Sequence, residues 1–364
     1  MSRIDELIAR LCPNGVEYRS LDTVAKFRRG TSITKSIVVE GDVPVIAGGR
    51  SPAYLHNESN RTGETIAIAG SGAYAGFVSY WNEPVFVSDA FTIHPNVSSL
   101  LPKYLYYFLL AKQEIIHSAK TAGGVPHVKG GDIGFLRIPI PPLEIQREIV
   151  HILDTFTELE AELEAELEAR KKQYAYYRDS LLSFPNTEGA GVEWRSLEKI
   201  VRIKNGKSYK SFAFGNVPVY GSGGIIAHVD TYAYDKPSVL IPRKGSLGNI
   251  FYIDVPFWTI DTIFYTEINE HLIEPKFLYY FLITLNIADM NHAGGVPSQT
   301  QSELNRLKIP LPSLEVQHEI VQILDKFNAL VNDLSIGLPA ELKARRQQYE
   351  YYRDKLLTFD EAVG

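Results

Sequence analysis

Apolar and aromatic side chains recur at alternating steps of three and four from Ile149 through Ile152, Phe156, Leu159, Leu163 and Leu167, then by way of Arg170 to Tyr174, Tyr177 and Leu181. This is a heptad seam with one additional step of four, and it predicts a long coiled-coil helix. A second seam runs Ile320, Ile323, Phe327, Leu330, Leu334, Leu338, Leu342, Arg345, Tyr349, Tyr352 and Leu356. Its extra steps of four make that helix four residues longer, and Gly337 and Pro339 in the extra stretch predict a kink. Between the seams the pattern changes to short apolar runs bounded by Gly and Pro. Thr65–Ala69, Gly76–Tyr80, Val85–Val87, Val239–Ile241 and Ile250–Ile253 predict strands. Pro102–Lys112 and Pro275–Leu285 predict helices that open at proline.

The chain is written twice. Gly15-Val16-Glu17-Tyr18-Arg19-Ser20-Leu21 returns as Gly191-Val192-Glu193-Trp194-Arg195-Ser196-Leu197. Leu105–Leu109 returns as Leu278–Leu282, and Gly123–Pro126 as Gly294–Pro297. Ile138–Gln146 matches Ile309–Gln317, and Ala169–Tyr174 matches Ala344–Tyr349. A period this long means two similar α+β, β-rich globules, each followed by a similar helix. Pro13-Asn14 also matches Pro185-Asn186, so the helix predicted over Ile4–Leu11 corresponds to the end of the first long helix near Leu181 and Leu182. A chain so ordered can close with its ends together.

The net charge of −6 argues at first against a polyanionic partner. Its distribution changes that picture: residues 14–145 hold 12 basic and 11 acidic side chains, 190–317 hold 12 of each, and 146–184 hold 5 basic and 9 acidic. The excess acid sits in the first long helix, and a neutral globule can still present a basic face. The single cysteine, Cys12, excludes a disulfide framework within one chain. The charged N-terminal segment does not read as a secretory signal, and Tyr104–Ala111 is far short of the roughly 20 residues of a membrane span. The expected compartment is the cytoplasm.

No catalytic constellation stands out. Gly206-Lys207-Ser208 resembles the end of a phosphate loop, but Val201 occupies the position of its first glycine. Ser71, between Gly70 and Gly72, lacks the flanks of a nucleophile elbow. The nine histidines include no pair at metal-ligand spacing. No glycine fingerprint follows a strand, and Pro141-Pro142-Leu143 lacks the flanks of a base-flipping methyltransferase motif. A self-sufficient enzyme is therefore disfavoured. A structural scaffold of two globules on a coiled coil explains the repeat but not why polar loops vary within a constant frame.

The duplicated segments Ile138–Gln146 and Ile309–Gln317 run on into Ile149-Val150 with Leu153-Asp154, and Ile320-Val321 with Leu324-Asp325. With the turns Ala122–Pro126 and Ala293–Pro297 and the opening Val16–Leu21, they resemble the specificity subunits of type I restriction–modification systems over essentially the whole chain. The resemblance implies two β-rich target-recognition domains in pseudo-twofold tandem, separated by two long antiparallel coiled-coil helices. The expected division is an N-terminal helix over 1–13 completing the distal helical end, domains at 14–145 and 186–316, spacer helices at 146–185 and 317–359, and a tail at 360–364. Each domain would read one half of a bipartite site in double-stranded DNA. The helices would set the spacer and dock two modification subunits, which bind S-adenosylmethionine and methylate adenine. The resemblance also allows for an ATP-using restriction subunit. It implies no cofactor and no metal on this chain. The acidic tetrads from Leu159 to Arg170 lengthen the helix by ~6 Å each, or about one to two base pairs of spacer.

A DNA reader needs cations for phosphates and polar side chains for base edges. Loop positions that differ between the repeats within a shared frame are the candidates. The first loop offers Arg28, Arg29, Thr34 and Lys35 against Lys204, Asn205, Lys207, Tyr209 and Lys210. The second offers Arg50, Ser71 and Tyr74 against Arg243, Lys244 and Ser246. The third offers Lys120, His127 and Lys129 against Ser298, Gln299 and Gln301, whose amides suit an adenine edge. Solvated polar turns would account for the first and third loops equally well. Tyr106, Tyr107, Tyr279 and Tyr280 read as core, and Tyr174, Tyr177, Tyr349 and Tyr352 as seam packing. Tyr176 and Tyr351 lie off the seam and suit a partner surface.

Overall fold

A computed structural model describes residues 3–120, 125–185, 192–290 and 297–362. The glycines of both Gly-Gly-Val-Pro turns lie outside these. The chain forms two compact units: residues 1–164 with 342–364, and residues 165–341.

In the first unit, α1 (Arg3–Leu11) precedes β1 (Tyr18–Ser20), α2 (Leu21–Val24) and β2 (Ala25–Arg29). Then come β3 (Val43–Ile46), β4 (Tyr54–His56), β5 (Thr65–Ala69), β6 (Val78–Trp81), β7 (Phe86–Val87) and β8 (Ala90–Pro95). The unit continues with α3 (Pro102–Ala111), α4 (Gln113–Ser118), α5 (Gly130–Ile133), β9 (Arg137–Pro139) and the start of α6 (Leu143–Leu181). Three sheets result, in the orders β2-β8-β5-β6, β4-β3-β7 and β1-β9.

The second unit holds β10 (Glu193–Ser196), β11 (Val201–Asn205), β12 (Val217–Gly221), β13 (Gly224–Val229), β14 (Ser238–Pro242), β15 (Phe251–Ile253), β16 (Trp258–Thr259) and β17 (Ile263–Ile268). After these come α7 (Pro275–Thr284), α8 (Gln301–Asn305), β18 (Lys308–Leu311), α9 (Leu314–Asn332) and the start of α10 (Leu338–Leu356). Its sheets repeat the first unit's orders: β11-β17-β14-β15, β13-β12-β16 and β10-β18. Even the minority parallel pairing recurs, as β3 with β7 and β12 with β16.

The central strands of each four-stranded sheet are covered on both faces, which is why β5 and β14 run without polar alternation and are buried along their whole length. On one face Ile66, Ile68, Phe91 and Ile93 pack against Leu105 and Phe108 of α3. On the other, Ala67 and Ala90 meet Ile46, Val85 and Val87 beneath the small sheet. Tyr107 and Tyr280 are buried as expected, and each hydroxyl donates to an aspartate of the following long helix, Asp154 or Asp325. Lys103 and Lys276 pair with the same carboxylates at 2.7 and 2.6 Å. The duplicated Leu-Asp dipeptide thus clamps the domain helix to the long helix.

The duplicated glutamine does the same with neutral bonds. Gln146 is fully buried; its Oε1 accepts from the Leu101 amide at 2.9 Å and its Nε2 donates to the Ser99 and Pro141 carbonyls at 2.8 and 2.7 Å. Gln317 accepts from the Glu274 amide and donates to Leu272 and Pro312. One side chain thereby satisfies the N-terminal backbone of α3 or α7, which no residue at the cap reaches.

Within the first unit, α6 and α10 run antiparallel: Phe156 stacks on Tyr352 at 5.6 Å, and Arg346 bonds both Glu160 and Glu164. Within the second, Tyr177 stacks on Phe327. Tyr176 and Tyr351 are exposed. The expected single second helix is corrected to two helices. Residues 333–337 form a turn in which the Asp333 carboxylate accepts from the amides of Ser335 and Ile336. The Ser335 hydroxyl, which also donates to this carboxylate, and then those amides hold its pKa below the usual value. Gly337 folds back so closely that a Cβ there would lie 2.4 Å from the Ala329 carbonyl oxygen. Leu334 consequently leaves the seam and is 78% exposed. Pro339, only the second residue of α10, occupies a position where its missing N–H costs nothing.

The chain ends meet inside the first unit. Ile4 and Leu7 of α1 enter the core beside Leu357, while Leu182, just past α6, enters the second unit's core. The expected tail at 360–364 is corrected over 360–362, which are pinned: Val16 donates to the Asp360 carbonyl at 2.8 Å and Ala362 to Val16 at 3.0 Å. Arg137 pairs with Glu361.

Candidate nucleic-acid interface

The second unit brings most of its predicted residues to one place. The turn after β14 is sewn to the segment before α8 by backbone bonds from Gln299 to the Arg243 carbonyl and from Gly245 to the Pro297 carbonyl. β11 ends beside them because Asn205 pairs with Phe264 of β17, and Phe264 packs under Arg243, whose guanidinium lies 5.8 Å from the ring centroid. The result is a cleft of about 320 Å³ lined by Asn205, Arg243, Lys244, Phe264, Ser298, Gln299, Thr300 and Gln301. Lys244, Asn205 and Ser298 are exposed, and Ser246 lies exposed in the same turn.

Gln299 departs from the expectation of a base-reading amide. It is 7% exposed, its Nε2 donates to the Ile287 carbonyl at 2.7 Å, and its Oε1 has no partner among the described residues. It forms the floor of the cleft, whereas Gln301, the first residue of α8, keeps partial exposure at the rim. Lys204 is a second departure: its ammonium pairs with Glu267 at 3.3 Å, so its charge is already neutralised. Lys207, Tyr209 and Lys210 continue outward from Gly206 in the next loop, and none lines the cleft. Lys207 is held by its backbone to Thr259 and by the Trp258 indole N–H.

In the first unit the corresponding residues also converge. Ser71 bridges to His127, and Gly72 donates to the Pro126 carbonyl. Lys120 Nζ reaches the Ala73 carbonyl at 3.3 Å, and the Arg50 guanidinium covers the Tyr74 ring at 4.9 Å. Ser71 itself is tied down, its hydroxyl donating to Asp89, so it shapes the turn. Lys129 opens α5 with its amide donated to Asp132. Arg28 and Arg29 lie not in a loop but at the end of β2, opposite Thr92 and Phe91. The residue after each strand is glycine for one reason: a Cβ at Gly30 or Gly206 would lie 2.1 or 2.0 Å from a carbonyl oxygen of the neighbouring segment. Thr34 and Lys35 stand apart in an exposed single turn, Thr34 bonded to Ser36. Of the predicted lysines and arginines, only Lys204 has a carboxylate partner among the described residues.

Three features escaped the sequence. Phe214, in the same loop as Lys207 and Lys210, is 88% exposed, an apolar ring set beside cations. Phe264 supports the cleft from below. Arg61 is buried beside Thr92 and Arg29, with Tyr234 at the matching bridge of the second unit. The paired bridges Arg61 to Val85 and Tyr234 to Phe257 are long-range contacts that no local pattern reveals.

Among the described residues no cluster of His, Cys, Asp and Glu could hold a metal, and no helix is long and apolar enough to cross a membrane. Two domains of one topology, each seated on long helices and each gathering cations and other polar side chains at matching turns, with amides added in the second, define a class of protein. The chain matches the type I restriction modification DNA specificity domain twice, over residues 13–169 and 190–344, and so belongs to the family of type I restriction–modification specificity subunits. It is 34% identical to the specificity subunit of the Escherichia coli enzyme EcoR124I/EcoR124II, covering 71% of each chain. It is 30% identical to a Haemophilus influenzae protein described as a candidate type I restriction enzyme specificity subunit, over 94% of this chain and 96% of that one. The fold is shared with the crystal structure of a type I S subunit from M. genitalium, with a TM-score of 0.66 and 22% identity over 94% of this chain and 96% of that one.

Proposed function

We propose that this chain is the non-catalytic DNA-reading subunit of a cytoplasmic type I restriction–modification enzyme, each unit recognising one half of a bipartite site. The observation that carries this reading is the cleft where Asn205, Arg243, Lys244, Ser298 and Gln301 come together from three separated segments. Cations there suit phosphates and guanine edges, and amides suit adenine edges. The matching turns of the first unit present Arg50, Tyr74, Lys120 and His127 in the same frame, so the two units would read different half-sites. Arg28, Arg29 and Lys129 flank that turn, and Lys207, Tyr209, Lys210 and Phe214 flank the cleft.

The long helices form the spacer in this reading, and their exposed side chains, Tyr176 and Tyr351 among them, face two modification subunits. A relative by fold comes from work on assembly of the type I system, which accords with partners of that kind. S-adenosylmethionine belongs to the modification subunits and ATP to a restriction subunit where one joins. Deleting Leu163–Glu166 removes one tetrad of α6, ~6 Å of helix, and the turn at 333–337 is where the companion helix absorbs the change. The recognised site is expected to keep both half-sites and lose about one to two base pairs of spacer. Methylation mapping reads this directly; changed half-sites with an unchanged spacer would refute the ruler.

A further inference from the structure

The two units share their sheet orders, but the face of the large sheet opposite the domain helix differs sharply between them. In the first unit Lys26 and Arg28 of β2 stand opposite His94 and Thr92 of β8. Beneath them lies Arg61, 7% exposed. Its Nε donates to Thr92 Oγ1 at 3.0 Å, Nη1 to the Asn60 carbonyl at 2.7 Å and Nη2 to the Arg29 carbonyl at 2.9 Å. All three acceptors are neutral, and neither Arg61 nor Lys26 nor Arg28 has a carboxylate partner among the described residues. A buried charge left without a counter-charge calls for one from outside. The neighbours reinforce the field: Arg28 depresses the Arg61 pKa after burial does, and burial, Arg28 and Arg61 together depress that of His94.

At the matching positions of the second unit the buried charge is absent and the exposed charge is reduced: Arg202 keeps the place of Lys26, but it stands opposite a carboxylate, Glu267, where the first unit has His94. Tyr234 replaces Arg61, Tyr265 replaces Thr92, and Glu267 replaces His94. Tyr234 and Tyr265 pack with Phe257 as an aromatic cluster, and Glu267 holds Lys204 at 3.3 Å.

We infer that Lys26, Arg28 and His94 over the buried Arg61 form an oxyanion site that takes a DNA backbone phosphate, and that the second unit has no counterpart. The inference rests on the DNA-reading role proposed above and adds an asymmetry to it: the first unit grips the backbone at this face, and the second depends on its cleft.

The test is the salt dependence of binding of the full chain to a fluorescein-labelled duplex, which needs only nonspecific affinity. Each lost phosphate contact lowers the slope of log K against log salt by about 1. Arg28→Gln, an exposed change, is expected to lower the slope by that amount. Arg61→Gln should do the same if its circular dichroism matches the parent, while Lys204→Gln should leave the slope unchanged. An unchanged slope for Arg28→Gln, or an equal loss for Lys204→Gln, would overturn the inference; the first would assign the cluster to an acidic protein surface instead. Failure of the parent chain to prefer its mapped site over a scrambled duplex would count against the DNA-reading role separately, and the slope comparison would still decide the asymmetry.

Discussion

Replacing Arg243 and Lys244 together with glutamine is expected to weaken binding to the specific duplex on the order of 10- to 100-fold, because a well-placed cation on a base edge is worth roughly 1–3 kcal/mol of discrimination. Both side chains sit in the turn after β14, sewn to the segment before α8 through backbone atoms that the substitution keeps. Neither has a carboxylate partner to strand among the described residues. The fold should therefore tolerate the change, with thermal unfolding close to that of the parent. The loss should fall on one half-site: fluorescence anisotropy with duplexes altered in one half at a time should show that the variant no longer discriminates in that half and still discriminates in the other. Equal loss in both halves would mean that the turn acts as a general phosphate contact and not as a reader.

The largest effect on stability is expected from Gln146→Leu or Gln317→Leu. Each glutamine is fully buried and bonds one amide and two carbonyls at the point where a domain helix starts and a long helix leaves the sheet. Leucine fills the space but leaves those backbone groups without partners in a site that water does not reach. Stranding a buried polar group costs about 1–3 kcal/mol, and a total of about 2–4 kcal/mol is expected for the three. Urea unfolding of the full chain should show the midpoint falling accordingly. A loss below about 1 kcal/mol would mean that α3 or α7 finds other capping partners.

These two predictions draw unequally on what the sequence discloses. The strand at Thr65–Ala69 and the helices opened by Pro102 and Pro275 are legible because their causes are local: apolar runs bounded by glycine, and a proline that lacks only an N–H the helix does not use. The duplication marked Gln146 and Gln317 as a pair, but the groups they bond lie up to 47 residues away, so repetition showed that they matter without showing why. Gly337 and Pro339 announced a kink, but the seam concealed that the helix stops altogether after Asn332, because Leu334 keeps the spacing while the Asp333 cap and Gly337 turn the chain out of the helix. Polar composition put Gln299 and Lys204 among the readers, and tertiary contacts removed one by burial and the other by pairing with Glu267. Arg61 was invisible for the opposite reason: it lies between strands in a stretch without periodicity, and only the fold carries it under Arg28 and His94.

The central claim is that the chain chooses where a partner methylates DNA. Its most direct test is a single-molecule methylation map of DNA from cells expressing the cognate adenine methyltransferase subunit, with and without this chain. A bipartite adenine-methylated motif that appears only with the chain is the predicted result, and it supplies the bases each unit reads. Identical maps with both proteins present and soluble would contradict the account.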